Sequence, residues 1–381
     1  MAIESAGCLL AVDVGGGTQD ILLFQPGQPL ENALQLVLPS PTVLIGEAVE
    51  RATEEGRDLL LTGVTMGGGP CSWAIEAHLK AGHRVYALPE PARTLDDDLD
   101  VVARLGVTVV APDEAEALRS RDHVRTLALR DLWLPEIKAA LAAFGVRAEV
   151  AALGVAVFDH GAAPPGYSDR RFRFDYLTEI LVSGAPLTAF AHRRGEVPPR
   201  LTRLAAVAQT APPDLPTLVM DTGAAAVLGA LEDRTVATSP DTALVNVGNF
   251  HTLAFRLLDG QPHAVFEHHT GLLTTATLDA YLEALCDGSL TNEAVFADSG
   301  HGALLLPRGH DRIGATPSLY AVTGPRRAML APSRHRPYFA VPHGAMMLSG
   351  CFGILRAMAD AFPQHAEAIR SALAADTVRG V

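Results

Sequence analysis

Two short stretches carry the residue types and spacing that phosphate chemistry needs. In LLAVDVGGGTQDILLF, residues 9–24, an apolar run ends in Asp13; Gly15, Gly16, Gly17 and Thr18 follow, then Asp20 and a second apolar run. Consecutive glycines let backbone N–H groups converge on an anion. Asp13, at the strand end, can hold a hydrated Mg²⁺ against that anion. A dinucleotide or Walker-type turn opens a helix, whereas Pro26-Gly27 stops this chain within a few residues. The expectation is strand–turn–strand, a hairpin whose tip faces phosphate. The competing reading is a plain Gly-rich turn with solvated acids.

The pattern recurs. ALVNVGNFHTLAF, residues 243–255, repeats strand, polar residue, Gly, polar turn and strand. Asn246 stands at the Asp13 position and Gly248 at the Gly15 position. Asn249 follows in the turn, and His251-Thr252 falls around the Thr18 position. Asp259-Gly260 is a turn dipeptide that closes the segment. Two such hairpins, more than two hundred residues apart, predict two related lobes with a cleft between them.

Further polar groups sit where ligands are usually met. Gly68 and Gly69 precede an amphipathic helix in TMGGGPCSWAI, which suits either a phosphate at a helix N-terminus or close backbone packing. Asp159-His160 ends a strand, with Arg173 a little further on, at the kind of edge where α/β proteins bind ligands. Asp221 opens a helix of small residues, as an N-cap or as a carboxylate that orients water. His268-His269 lies near His251 and His263 in sequence, but adjacent side chains on an extended segment point to opposite faces. Both imidazoles are therefore not expected on one ion.

The elements that must position these groups alternate between strand and helix, which argues for α/β architecture. Residues 34–45 read as a third strand and its exit, followed by a helix over 45–56. Asp96, Asp97 and Asp98 are expected in the first turn of a helix, where the macrodipole favours acids. Residues 113–145 read as helical with breaks. A Pro/Gly-rich loop and the basic-aromatic patch around Arg170–Arg173 read equally as a local substrate loop or a plain inter-domain connection, and a lobe boundary is expected near the Pro-rich end of residues 191–216.

Composition bounds the rest. The 381 residues, 48% hydrophobic and 19% charged, suffice for two cored domains. A formal net charge of −13 argues against a generic nucleic-acid or anionic-membrane surface. Cys8, Cys71, Cys286 and Cys351 are scattered, with no CxxC or CxxxCxxC, so neither structural zinc nor a cysteine-ligated cluster is supported. No basic leader or membrane-length apolar run is seen, and the expected location is cytoplasmic.

Five segments stand in one order: the DVGGGTQD hairpin, MDTGAAAVLGA, the NVGNFHT hairpin, VTGPRR and PHGAMMLSGCFG. This order resembles the superfamily of actin, sugar kinases and seventy-kilodalton heat-shock chaperones. More narrowly, TMGGGPCSWAI, ARTLDDDLD, DHG, FEHHTG and VTGPRR resemble a prokaryotic domain-of-unknown-function family labelled pyruvate formate-lyase-activating enzyme. Radical S-adenosylmethionine chemistry is rejected for this chain, because the closely spaced cysteines it needs are missing.

The resemblance implies a two-lobed actin-like ATPase fold, a duplicated ribonuclease-H-like unit, with Mg-ATP in the cleft. Residues 1–215 would form the first lobe, 216–340 the second, and 341–381 a C-terminal helical segment returning to the first. Gly15 to Thr18 and Gly248 to Thr252 would clasp phosphates. Asp13 would organise Mg²⁺ through water, with Asp221 as base or water-positioner. Gly324 and Arg326, with Gly344 in the second connecting segment, would border the nucleotide. Asn246 departs from the usual second-loop Asp and cannot supply its charge. The substrate candidates are Gly68, Gly69, Asp159, His160, Arg173, His268 and His269. The implied activity is a slow ATPase or small-molecule kinase; a nucleotide-sensing regulator and a hydantoinase-like ATP-dependent amidohydrolase are the alternatives.

Overall fold

The computed structural model describes residues 3–307, 314 and 316–374. Strands β1 (Ile3–Val14), β2 (Thr18–Phe24) and β3 (Leu34–Pro39) form an antiparallel meander. The chain then leaves for a smaller parallel sheet of β4 (Asp58–Gly63), β5 (Val85–Ala87), β6 (Val107–Val109) and β7 (Val124–Leu129), ordered β6-β5-β4-β7. It returns as β8 (Val146–Val157), β9 (Ala191–Arg193) and β10 (Thr217–Asp221), completing a sheet of order β3-β2-β1-β8-β10-β9. Both β8 and β10 run parallel to β1. Strands covered on both faces need unbroken apolar sequence. Leu9–Val12, Leu153–Val157 and Leu218–Met220 supply it, and their side chains are buried.

The second lobe repeats the scheme. Its strands are β11 (Asp241–Val247), β12 (His251–Leu258), β13 (Gln261–His269), β14 (Gly302–Leu305), β15 (Leu319–Thr323) and β16 (Tyr338–Phe339). Their order is β14-β13-β12-β11-β15-β16, with β15 parallel to β11 and β16 parallel to β15. With the edge strands β9 and β14 set aside, both sheets run third, second, first, fourth, fifth. That order, present twice, is the duplicated ribonuclease-H-like arrangement of the actin-like ATPase fold.

Each fifth strand is followed by a connecting helix, Thr222–Ala230 after β10 and Ser349–Ala361 after β16. The two helices cross at backbone contact. A Cβ on Gly229 would overlap the Ser349 carbonyl, and one on Gly353 the Ala225 carbonyl. All of Gly223–Ala230 is buried, so this helix is apolar on every side, as a core helix must be. The small residues are what let the helices approach.

Four local expectations differ from the structure. The first helix runs Pro41–Glu54, beginning where a strand exit was expected, because proline is pre-organised for the first helical position. Asp96 and Asp97 precede the helix Leu99–Arg104, and only Asp98 caps it, accepting from Asp100 N at 2.9 Å. Strand β7 lies inside the stretch expected to be helical. Its buried Val124, Leu127 and Leu129 alternate with more exposed residues, and parallel pairing to β4 decides its state. The basic-aromatic stretch is a helix, Asp169–Val182, with Arg173 buried in it. No described helix is long and apolar enough to cross a membrane.

Candidate functional site

The two hairpin turns are built alike. Gly15 N donates to Thr18 O at 2.9 Å, and Gly248 N donates to His251 O at 2.9 Å. In register, Asp13 faces Asp20 across the first hairpin, while Asn246 faces Leu253 across the second. The tips meet: a Cβ on Gly16 would overlap the Phe250 ring, and one on Gly17 would lie 2.6 Å from Asn249 Nδ2. Phe250 also packs edge-on against Trp73, with ring centroids 5.6 Å apart.

Behind the tips lies a cleft of about 430 Å³. Of the residues singled out by sequence, Asp13, Gly15, Gly16, Thr18, Gly68, Gly69, Asp159, His160, Asn246, Gly248, Asn249, His251 and Gly324 line it. Gly17, Arg173, Asp221, Thr252, His268, His269, Arg326 and Gly344 lie outside that lining. Thr252 is buried against the Thr270 hydroxyl at 3.0 Å. Arg326 N donates to Val247 O at 3.0 Å, and Gly344 ends a short 3-10 turn. Met346, Ser349 and Gly350 face the cleft from that segment instead.

Asp13 is held at the end of β1, with Thr222 Oγ1 donating to its Oδ1 at 2.6 Å. Any side chain at position 350 would collide with the Asp13 carboxylate, so Gly350 is what admits it. Burial pushes Asp13 up to about 7, opposed by the Thr222 hydroxyl and reinforced by Asp221. Burial, with Asp13 opposite, pushes Asp20 up to about 8. Asp20 Oδ1 is buried without a hydrogen-bond partner. Two carboxylates facing each other across a ladder, without a neutralising cation, repel. A divalent cation or a shared proton resolves that.

Asp221 is committed elsewhere. Its Oδ1 accepts from Gly223 N at 2.9 Å and Ala224 N at 3.2 Å, capping the helix. Its Oδ2 lies 2.6 Å from an Arg173 nitrogen, and both side chains are buried. Arg173 also grips Glu267 with two bonds, Nε to Oε2 at 3.2 Å and an η nitrogen to Oε1 at 3.0 Å. Its guanidinium sits 4.4 Å from the Phe158 ring centroid. A second, partly buried fork, Arg203 on Asp131 at 2.7 and 2.9 Å, underlies the glycine loop, where Asp131 Oδ1 accepts from Gly67 N at 3.2 Å.

The cleft wall also carries imidazoles. Ligating atoms of His160, His251 and His301 all lie within 4.8 Å of one another, and the His269 ring centroid is 4.7 Å from that of His301. Burial first, and neighbouring imidazoles and arginines second, hold His160 down at about 3 and depress His251, His269 and His301 as well. His268 points away, bonding to Asp298 O at 3.0 Å. Asp20, Asp131, Arg203, Glu267 and His301 were not singled out as site residues from sequence. Glu267 stands in FEHHTG and His301 between two glycines, but nothing local marks Glu267 as lining the cleft or His301 as meeting His160 and His251.

The strand order defines a two-lobed protein with the actin-like ATPase fold. The chain belongs to the family described as "Putative pyruvate format-lyase activating enzyme", whose model matches residues 66–329. Comparison with curated proteins finds no match. Among solved structures it is similar to an inorganic polyphosphate/ATP-glucomannokinase from Arthrobacter sp. strain KM, at 13% identity over 94% of this chain and 99% of that one, TM-score 0.35. It is similar too to a ROK family glucokinase from Streptomyces griseus in complex with glucose and AMPPNP, at 12% identity, 91% and 98% coverage, TM-score 0.30. A ROK family transcriptional regulator, a homolog of the E. coli MLC protein, matches at 12% identity over 68% of this chain, TM-score 0.26; the chain spans 38% of its length. At these scores the likenesses carry no argument of their own, and the fold rests on the strand order.

Proposed function

We propose that the cleft binds a Mg²⁺–nucleotide complex and that the protein is a slow ATPase or a kinase of a small molecule. The observation that carries this reading is the pair of identically closed hairpin turns, facing each other with Asp13 and Asp20 beside them. The glycine turns would hold phosphate oxygens through backbone N–H groups. The acid pair fits a cation, since a buried Asp20 oxygen lacks a partner and both carboxyls are raised by burial. Bound Mg²⁺ supplies charge neutralisation on the phosphates. Thr222 fixes the Asp13 rotamer, Arg203 adds a cation to the wall, and Gly324 borders the far side. The proposed lobes divide after β10, which pairs with β8 in the first sheet, rather than at residue 215.

A second reading, a nucleotide-sensing regulator without turnover, is favoured by Asp221. Its oxygens are occupied by the helix cap and Arg173, which leaves no free base there. Activation of pyruvate formate-lyase by radical chemistry is not proposed. The four cysteines are buried free thiols in no closely spaced set.

Calorimetric titration with ATP and ADP, with and without Mg²⁺, tests the binding step. Saturable Mg²⁺-dependent binding that Asp13→Ala abolishes is the expected result. No heat at millimolar nucleotide in wild-type protein refutes it. Single-turnover assay of bound ATP then separates enzyme from sensor.

A further inference from the structure

We propose that His160, His251 and His301 form a binding site for one divalent transition-metal ion that bridges the two lobes. It goes beyond the nucleotide reading and shares no ligand with the Asp13–Asp20 pair. Three elements far apart in sequence converge on it. His160 follows β8 in the first lobe, His251 opens β12 at the second hairpin, and His301 precedes β14.

The geometry is that of a site slightly open. Nε2 of His160 and Nε2 of His301 are 3.4 Å apart. For metal–nitrogen bonds of about 2.0–2.1 Å, tetrahedral ligands stand about 3.4 Å apart. The widest pair, at no more than 4.8 Å, needs to close by about 1.4 Å at most to reach that edge. His251 Nε2 is buried with no hydrogen-bond partner, as a ligand atom awaiting an ion would be. Among the described residues this is the group of histidine, cysteine and carboxylate side chains arranged to hold a metal.

The surroundings orient the rings as metal sites require. Phe158 stacks flat on His251, with centroids 3.9 Å apart and planes 6° from parallel. The Nδ1 face of His301 is turned to Glu267 Oε2 at 3.9 Å, leaving Nε2 for the ion. At that distance Nδ1 has no hydrogen-bond partner, and the same small closure that gathers the ligands would bring the carboxylate into reach to fix the tautomer and raise the ring's basicity. Glu267 is itself locked by Arg173, which Asp221 also neutralises. Two carboxylates on one guanidinium favour a cation nearby.

Imidazole donors select zinc- or iron-class ions over Mg²⁺, which prefers oxygen. Three protein ligands leave a further position for water or substrate. His160 and His251 line the nucleotide-sized cleft, so that position opens into it. An ion held from both lobes would favour the closed arrangement.

The test uses the full-length protein, stripped by a chelator and titrated with Co²⁺ in place of the native ion. With Mg²⁺ in excess to occupy the acid pair, one tight equivalent per chain carrying the intense visible absorption of low-coordinate cobalt is expected. His160→Ala and His301→Ala abolish the signal, and Glu267→Gln weakens affinity about 10–100-fold. Exposed His123→Ala leaves it unchanged. X-ray absorption at the cobalt edge of wild-type protein counts imidazole ligands without any substitution. A spectrum without imidazole ligation, or a cobalt signal that survives in folded His160→Ala and His301→Ala proteins, overturns the proposal. Cobalt binding with no Mg²⁺–nucleotide binding would sink the functional reading alone, and the converse would sink this one alone.

Discussion

The two hairpins share a closing bond, a register and a place beside the cleft, yet differ in what they present to it. The first sets Asp13 against Asp20; the second sets Asn246 against Leu253 and adds Phe250 and His251 at its tip. One scaffold has therefore been loaded with two chemistries. The first hairpin concentrates negative charge that burial makes costly, a form suited to a hard cation. The second is neutral and aromatic, and hands its imidazole to the neighbouring histidines. Duplicated backbone geometry reports how a ligand is cradled, whereas the side chains at matching positions report which charge is cradled.

That comparison can be broken in several places. The largest effect is expected at Arg173, which joins the first lobe to Glu267 behind the second hairpin. Arg173→Met leaves Asp221 and Glu267 buried and unpaired, and should cost about 3–5 kcal/mol, read from urea unfolding. An unchanged midpoint would mean the lobes do not depend on this link. Next is the asymmetry itself. Asp13→Asn should weaken Mg²⁺-dependent nucleotide binding at least tenfold, whereas Asn246→Ala should shift it less. Equal losses in calorimetry would make the hairpins functionally equivalent.

A pH measurement sharpens the first hairpin. Burial, with Asp13 opposite, pushes folded Asp20 up to about 8 from its ordinary 3.8. The folded state thus binds the proton more tightly, and this group's contribution to stability declines as pH rises from about 4 to about 8. Asp20→Asn should raise the melting temperature, by more at pH 8 than at pH 5. A larger gain at pH 5 would refute the buried-acid description. The smallest effect is expected at the second tip. Phe250→Ala removes the ring packed on Trp73 and should alter tryptophan emission with little change in the melting temperature; unaltered emission would place the second tip away from the helix that carries Trp73.

Much of the scaffold was legible in the sequence. Glycines after Asp13 and Asn246 mark turns because of what they permit to the backbone, and apolar runs mark strands covered on both faces. Strand β7 was less legible. Its apolar alternation is short and its helical flanks are strong, so the partner strand β4 decides. Asp221 shows the same limit at the site. Its position after β10 identified an N-cap or a base, but the choice between them was made by Arg173, 48 residues earlier in the chain.

The sequence by itself determined the repeated hairpins, the alternation of strand and helix, and the small-residue helices that can cross closely. These follow from local backbone preference and periodic burial, which neighbouring residues express. Only the tertiary structure decided that Glu267 and Asp221 share one arginine, and that three histidines meet at one place. Such groupings depend on side chains brought together over 141 residues of chain between His160 and His301, a proximity that comes from packing one lobe against the other.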